Sequence, residues 1–317
     1  MDNMEGDGHN QTLVSEFILL GLTDNHKLNI LFFNIILLMY FVTIIGNVGM
    51  IILICCCTKL HNPMYFFLGN LSFSDLCYSS VITPKLMTNL CSGQKMISFK
   101  GCVSQLFFFA LFVGAECFLV TVMSYDRYVA ICNPLLYAVI MSQTLRVKLV
   151  GAAYSGGILT SIIHTSCTFS MTFCGSNKVN HFFCDIPPLL KLSCTNTFIS
   201  ELFMFLLSST LGGLSATVIM FSYTKIISAI LRMQSPEGRQ KAFSTCSSHL
   251  LVVSLFFGTA IFQYARPISS YSVQKDKVIS LIYTVVIPML NPIIYSLRNA
   301  HVKDAFISVI DITTLCK

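Results

Sequence analysis

The sequence of 317 residues is poor in charge. Asp, Glu, Lys and Arg together make up 11% of it, whereas hydrophobic residues make up 54% and the mean hydropathy is +0.73. A soluble domain carries about 25% charged residues, so this composition argues against a soluble enzyme. It also argues against a disordered chain, which needs low hydrophobicity and high charge. The net charge of +6 is too small and too scattered to indicate nucleic-acid binding.

Several familiar patterns are missing as well. The two halves of the chain do not resemble each other, which argues against a transporter built from inverted repeats. No nucleophile with a neighbouring base and no glycine-rich phosphate loop stands out. We therefore expect neither an enzyme nor an organic cofactor. Residues 1–27 lack both the basic start and the apolar core of a cleaved signal peptide.

Seven apolar stretches fill most of the chain. Most exceed the roughly 18 residues that mark a membrane-spanning helix, and the alternating strands of a membrane barrel are absent. The sequence therefore predicts an all-α membrane protein with a seven-helix bundle over residues 28–297. The predicted spans are about Leu28–Cys57, Pro63–Leu86, Cys102–Cys132, Val147–Cys167, Phe198–Leu231, Ala242–Tyr264 and Val278–Leu297.

The two ends of the chain differ in character. Residues 1–27 are polar and acidic, and Asn10 begins an N-glycosylation sequon. If the N-terminus lies outside, the segments on the inner side of the membrane carry slightly more Lys and Arg than those on the outer side. We therefore expect an extracellular tail over 1–27 and a cytoplasmic segment over 298–317, in the cell membrane. In that last segment a short amphipathic eighth helix is predicted by Val302, Ala305, Phe306, Val309 and Ile310.

Two acidic residues lie deep in apolar stretches, Asp75 in the second and Glu116 in the third. Asn47 and Asn291 lie at similar depth in the first and seventh. Two carboxylates that face each other in a low-dielectric interior repel, unless they bind a cation or share a proton. The sequence therefore predicts a midplane site for a sodium ion or a shared proton. A protonated, hydrogen-bonded pair without an ion is the alternative.

The third stretch also carries one continuous helical face, whose members are three or four residues apart. This face joins an apolar outer section, a carboxylate midway and a cationic inner end. A core helix whose final arginine reaches the interface has the same spacing, so the spacing leaves both interpretations open. The members are Phe109, Val113, Glu116, Val120, Met123 and Arg127.

The segment Met123–Leu135 reads MSYDRYVAICNPL and resembles the hallmark of vertebrate olfactory receptors. The resemblance extends over nearly the whole chain and implies a rhodopsin-like G-protein-coupled receptor. It implies an odorant ligand, a stimulatory olfactory-type G protein and a rise in cyclic AMP. Further segments that match the family pattern in order are Gly46–Asn47, Leu60–Leu68 (LHNPMYFFL), Ser222–Tyr223, Lys241–Leu250 (KAFSTCSSHL) and Pro288–Tyr295 (PMLNPIIY).

The resemblance also implies roles for individual residues. Asp126 would hold Arg127 at rest, and the freed arginine would then cap the C-terminus of a Gα helix. Tyr223 and Tyr295 would move beside it. The residues implied in coupling are Asp126, Arg127, Tyr128, Tyr223, Asn291, Pro292 and Tyr295, and those of the midplane cation site are Asp75, Glu116 and Asn291.

Four cysteines, Cys102, Cys174, Cys184 and Cys194, lie in or beside polar stretches and indicate an oxidising compartment. They allow three pairings, among which the residues alone do not choose. The resemblance implies Cys102 with Cys184 and Cys174 with Cys194. A metal site at His181–Asp185 is a competing interpretation that requires a free Cys184 thiolate. Cysteines in or beside the apolar stretches, among them Cys55, Cys56 and Cys57, are expected to act as small buried hydrophobes.

The outer half of the third stretch, Val103–Gly114, contains no acid that could pair with an ammonium ligand. Phe257 stands where many family members carry a tyrosine, so a hydroxyl is missing there. An apolar pocket with a few hydroxyls suits a small, neutral, volatile ligand. By family position, the resemblance implies a pocket lined by Phe109, Ala110, Val113, Gly114, Leu207, Ser208, Leu211, Phe257, Ala260, Ile261, Tyr264, Leu281 and Thr284.

Two other functions compete with this interpretation. The first is a rhodopsin-like receptor for a peptide or a non-odorant metabolite, because one fold hosts many ligands. The second is a channel or transporter, which would need a polar pathway or paired broken helices. The sequence displays neither of those features, so the odorant receptor is the favoured function.

Overall fold

The computed structural model describes residues 14–174, 176–264, 273–298 and 302. Within them the chain forms seven long helical segments. These are α1 (His26–Cys56), α2 (Pro63–Ser92), α3 (Phe99–Cys132), α5 (Gln143–Phe169), α7 (Phe198–Leu231), α8 (Pro236–Tyr264) and a last segment in which a π-helical turn (Ile282–Val286) joins α9 (Val273–Leu281) to α10 (Ile287–Arg298). Two short helices, α4 (Tyr137–Ile140) and α6 (Ile186–Leu190), lie in connections.

Length and composition suit five of the described helical segments to a membrane: α1, α3, α7, α8 and the last segment over Val273–Ser296. A sixth span results when Pro134–Ile140 and α5 are joined across their bend of 69°. The remaining long helix, α2, is less apolar because its inward face carries buried polar residues such as Ser72, Asp75 and Thr83. Polar groups inside a membrane bundle face other helices rather than lipid.

Local sequence explains where several of these helices begin. The Asn25 side chain accepts hydrogen bonds from the backbone at the start of α1, and Asn62 does the same for α2, where Pro63 follows. Ser98 and Ser142 cap α3 and α5 in the same way. Such caps satisfy backbone N–H groups that have no partner within the helix. At the other end of α2, Gly93 adopts a φ of 66°, which permits a left-handed C-cap.

The centre of the bundle is α3, which packs against α2, α5 and α7. Its crossing with α5 is close because both helices carry glycine there. A Cβ on Gly157 would collide with the backbone carbonyl oxygen of Leu111, and one on Gly114 would lie 2.8 Å from Oγ1 of Thr160. Ser161 Oγ also donates a hydrogen bond of 2.5 Å to the Phe107 carbonyl. Small residues of this kind let membrane helices approach each other.

A second close approach joins α1 to the last segment. A Cβ on Gly46 would lie 2.8 Å from Cγ of Pro292. Next to it, Asn47 Nδ2 donates to the carbonyl of Pro288 at 2.9 Å. In a regular helix the N–H of residue 292 would donate to this carbonyl, but Pro292 has none. The Asn47 amide therefore satisfies a backbone acceptor that would otherwise be buried without a partner.

One end of the bundle is covered by a small sheet. Its central strand β1 (Glu16–Leu19) pairs antiparallel with β2 (Met96–Ser98) and parallel with β3 (Lys178–Val179). Phe17 and Leu19 are fully buried beneath it. Part of the predicted polar tail is therefore an ordered strand, because alternate side chains of β1 bury against the loop that carries β3. We call β1, β2 and residues 170–197 the cap.

Two predicted features fall on residues that the structure does not describe. The sequon at Asn10 precedes residue 14. The amphipathic helix over 302–310 is represented by Val302 alone, which is buried and belongs to the core cluster that also contains Tyr223 and Tyr295.

Candidate ligand-binding and coupling sites

A cavity of about 200 Å³ lies among α3, α5, α7, α8 and the cap. Its lining is mostly apolar. Nine of the residues that the sequence predicts for a ligand pocket line it: Phe109, Ala110, Val113, Gly114, Ser208, Leu211, Phe257, Ala260 and Ile261.

Three predicted pocket residues do not line the described cavity. Leu207 is absent from the lining, although its neighbour Ser208 belongs to it. Leu281 packs against a separate cluster around Tyr283, and Thr284 is buried with its hydroxyl donating to the Ser280 carbonyl at 2.7 Å. The cavity walls come from α5 and the cap instead of the last segment. The side chain of Tyr264 lies outside the described part of the chain.

Sequence reasoning missed several polar residues that line the cavity. His164 and Thr160 enter from α5, Asp185 from the cap and Gln263 from α8. Gln263 Nε2 donates to Asp185 Oδ2 at 3.3 Å, and the backbone N–H of Ile186 donates to Oδ1 at 2.8 Å. An acid therefore borders the cavity, although none lies on the outer half of α3. The sequence did contain a signal for Asp185, because this residue directly follows Cys184, which the resemblance implies is bridged to α3.

Gly114 has two functions in the structure. It lines the cavity, as predicted, and it also lies at the crossing of α3 and α5. A Cβ there would be 2.8 Å from Thr160 Oγ1 and 3.2 Å from the Cα of Gly157. A large side chain at Gly114 would therefore separate two helices as well as fill the cavity.

The continuous face of α3 points into the bundle. Phe109, Glu116, Val120 and Met123 are all buried, and the Arg127 side chain is 13% exposed at the inner end. Phe109 belongs to the cavity wall, so a single helix connects the cavity to the arginine.

Midway along the face lie the two buried acids. Asp75 accepts hydrogen bonds from Asn291 Nδ2 at 3.0 Å and 3.2 Å. Both carboxylate oxygens of Glu116 are buried without a hydrogen-bond partner among the described residues, as are the Oδ1 atoms of Asn47 and Asn291. Orphaned oxygens in one region fit a hard cation, which prefers oxygen ligands, and they equally fit a carboxyl proton.

Near the C-terminal end of α3 the arginine is paired. Arg127 Nη2 lies 3.1 Å from Oδ2 of its neighbour Asp126, which is fully buried. Asp126 Oδ1 accepts a hydrogen bond of 2.9 Å from the hydroxyl of Tyr137 on α4. The carboxylate is thus held from two sides, which matches the resting pair that the resemblance implies. Tyr137 was not predicted, because its position depends on the turn before α4.

The other predicted coupling residues surround this pair. The Tyr223 hydroxyl lies 2.6 Å from Nδ1 of His249, whereas the buried hydroxyl of Tyr295 has no hydrogen-bond partner among the described residues. The Tyr128 ring lies 5.8 Å from that of Phe221 on α7. Pro292 is buried against α1. His249 belongs to the segment KAFSTCSSHL, and the sequence predicted no role for it.

The cap is held by two disulfides, Cys102–Cys184 and Cys174–Cys194, the pairing that the resemblance implies. The bridge at Cys184 contradicts the metal interpretation of His181–Asp185, because a bridged sulfur is no thiolate ligand. His181 is fully buried and stacks on Phe182 with ring centroids 4.6 Å apart. Burial, reinforced by the charge of Lys277, lowers the pKa of His181 to about 3.

Comparison with known proteins agrees with this architecture. A family model described as "Olfactory receptor" matches residues 36–312. The chain is 54% identical to mouse (Mus musculus) olfactory receptor 5AP2 over 296 residues, which cover 93% of each chain. It is 51% identical to human (Homo sapiens) olfactory receptor 5AR1 over 300 residues, 95% of this chain and 97% of that one. It is 53% identical to human olfactory receptor 5G3 over 297 residues, 94% and 95% of the two chains.

The fold and these matches define a multi-pass membrane receptor with a seven-helix bundle, so the predicted fold class is confirmed. The chain belongs to the olfactory receptor family. It is thus an odorant-sensing G-protein-coupled receptor, with an odorant ligand and a G protein as partners. Olfactory receptors are not enzymes, which confirms the expectation that this chain is none.

Proposed function

We propose that the cavity binds a small, neutral, largely apolar volatile and that binding activates a stimulatory, olfactory-type G protein, which raises cyclic AMP. The observation that carries this proposal is the face of α3 that runs from Phe109 in the cavity wall to Arg127 at the coupling end. A ligand that packs against the first residue acts on the same rigid helix that bears the second.

The chemistry of the cavity supports a neutral ligand. A volume of about 200 Å³ suits a small molecule, and most of the lining is apolar. Apolar burial contributes roughly 25 cal/mol per Å². The carboxylate of Asp185 is already hydrogen-bonded by Gln263 and by the backbone of Ile186. An ammonium ligand would lose its hydration on entry into this mostly apolar cavity. Ser208 and Thr160 remain to orient an alcohol, ketone or ester.

Release of Arg127 from Asp126 is the proposed coupling step. The pair lies at the end of α3, and the fork of a freed guanidinium suits the carbonyl groups at a helix C-terminus. Tyr223 on α7 and Tyr295 on α10 flank this position from neighbouring helices, and Tyr128 follows Arg127 on α3 itself. Tyr223 on α7 and His249 on α8 join these two helices. Separation of α8 from α7 would break this contact and open the space between the two helices.

At the midplane, Asp75, Glu116 and Asn291 would hold a sodium ion or a shared proton in the resting receptor. Such an ion or proton would relieve the repulsion between two buried carboxylates. The positive charge of this ion or proton would stabilise the packing of α2, α3 and α10 around the site. Loss of the charge on activation would free these helices to shift.

The proposed orientation has the cap on the extracellular side and Arg127 in the cytoplasm, within the cell membrane. The two disulfides support it, because bridges persist in an oxidising compartment. Residues 1–27 would then form the outer tail, with Asn10 available for glycosylation, and residues 298–317 the inner amphipathic helix and tail.

A cyclic-AMP reporter screen against a chemically diverse volatile panel tests the ligand class. Best agonists that are small and neutral support the proposal, whereas best agonists that are ammonium compounds contradict it. A cavity-filling variant then tests the site. Ala260→Leu should raise the EC50 of those agonists at least tenfold while surface expression persists, because it fills space in the cavity wall.

The matched control is Ala216→Leu, which makes the same substitution on the exposed face of α7. It should leave the EC50 unchanged. Equal potency of the agonists at Ala260→Leu and at the wild-type receptor would exclude the cavity as their binding site.

A further inference from the structure

The exposed face of α1 ends in two cysteines. Exposed apolar side chains recur along this face every three or four residues, and Cys55 and Cys56 follow the last of them after three and four residues. Both thiols are exposed on the bundle, contrary to the expectation that they are buried. The apolar members are Leu38, Phe41, Ile45, Val48 and Ile52. Because that face contacts lipid, the two thiols contact lipid as well.

The polar neighbours of Cys55 indicate its depth in the membrane. α1 ends at Cys56, and the exposed Lys59 follows within one turn. His61 Nε2 lies 3.2 Å from the backbone carbonyl of Cys55. An imidazole and an ammonium at this level are typical of the headgroup region rather than the hydrocarbon core. The two thiols therefore lie at the membrane interface and not in the hydrocarbon core.

The third cysteine of the run differs. Cys57 is partly buried and packs against the core cluster that contains Leu53 and Leu60. The structure thus separates two accessible thiols from one that faces the protein. The remaining exposed free thiol among the described residues is Cys91, which lies in the last turn of α2 at the opposite end of the bundle.

We propose that Cys55 and Cys56 are S-acylated by a long-chain fatty acyl group. Cysteines beside the cytoplasmic end of a membrane helix are the usual acceptors of this modification. Each thiol attacks the carbonyl carbon of a long-chain acyl-coenzyme A. A thioester forms, the bond from that carbon to the coenzyme sulfur breaks, and the thiol proton passes to the departing coenzyme A. The acyl chains then lie along the apolar face of α1, which is already directed toward lipid.

This inference rests on the proposed orientation, because the acyl donor is cytoplasmic. Acylation would fasten the inner end of α1 to the bilayer surface. Since α1 packs on α10 through Gly46 and Pro292, it would also restrict movement at the coupling end of the last segment.

The test counts thioesters on the full-length receptor from mammalian cells. Free thiols are blocked with N-ethylmaleimide, thioesters are cleaved with hydroxylamine, and each released thiol is tagged with a polymer maleimide that retards the receptor on a gel. The variants Cys55→Ser and Cys56→Ser should each lose one tag relative to wild type, and the double variant should lose two. Cys57→Ser and Cys91→Ser are matched controls and should lose none.

A wild-type receptor without hydroxylamine-dependent tags, or a double variant that loses fewer than two, overturns the proposal. A separate arm examines orientation. A membrane-impermeant maleimide applied to intact cells should label Cys91, and Cys91→Ser should abolish that labelling. Labelling of Cys55 and Cys56 on intact cells without hydroxylamine would overturn the orientation, whereas labelling of Cys91 alone together with absent hydroxylamine-dependent tags would overturn the acylation and leave the orientation in place. The two failures are therefore distinguishable.

Discussion

Removal of the bridge between Cys102 and Cys184 should damage the receptor more than removal of the bridge between Cys174 and Cys194. The first bridge closes a loop of 82 residues and the second a loop of 20. The loop-entropy relation assigns them roughly 4.5 and roughly 3.3 kcal/mol. Both are upper bounds, because membrane helices stay inserted and the unfolded chain is already restricted.

The structure adds a second reason for the larger effect. Cys102 and Cys184 are fully buried, and the backbone N–H of Cys184 donates to Gln105 Oε1 at 2.9 Å. The bridge therefore fixes the cap segment that contributes Asp185 and Ile186 to the cavity. Its loss should release that wall, and so reduce both stability and odorant response.

The assay is flow cytometry of surface receptor, combined with thermal melting of the purified protein. Cys102→Ser and Cys184→Ser should each reduce surface delivery, and the double variant should be no worse than either single variant. Cys102→Ser combined with Cys174→Ser should show added losses, because independent sites add. The exposed Cys91→Ser serves as the control. The reasoning fails if Cys184→Ser further harms the Cys102→Ser receptor.

Three more predictions concern signalling and the cap. Arg127→Ala should abolish the cyclic-AMP response while surface expression persists, whereas the exposed Arg232→Ala should not; normal signalling by the first contradicts its role. Glu116→Gln should shift the sodium or pH dependence of activation, and unchanged curves would exclude the ion and shared-proton site. Because the pKa of His181 is lowered in the folded cap, folding favours the neutral imidazole. The contribution of this ring to cap stability is fully present above pH 6.5 and falls by about 1.4 kcal/mol per pH unit toward pH 3. The protection factors of cap amides, which correct for slower intrinsic exchange at low pH, should therefore fall at pH 5 in the wild type and not in His181→Phe; an equal fall in both would assign the effect to another group.

Much of the architecture was predictable from the sequence, for a physical reason. A stretch of about 20 apolar residues in a membrane must satisfy its backbone hydrogen bonds internally, and a helix does so locally. The face of α3 from Phe109 to Arg127 is likewise a local pattern, because residues three and four apart share one side of a helix. The composition alone therefore indicated the membrane, and the motif around Arg127 indicated the family.

The composition of the cavity was decided by the tertiary structure. Whether Leu281 or His164 faces the cavity depends on the rotation and separation of helices, which no local pattern encodes. Gly114 could be assigned to the pocket by position, but its contact with Thr160 required the crossing angle of α3 and α5. Asp185 enters the cavity only because a bridge draws the cap over the bundle.

The same distinction applies to the cysteines. Cys55, Cys56 and Cys57 are consecutive, and each lies in or beside an apolar stretch. Only the packing of α1 separates the two that face lipid from the one that faces the core. Sequence determined that these residues lie at a helix end, because the apolar run stops there. The neighbouring helices, which cover one side of α1 and leave the other exposed, decided which of these thiols are exposed.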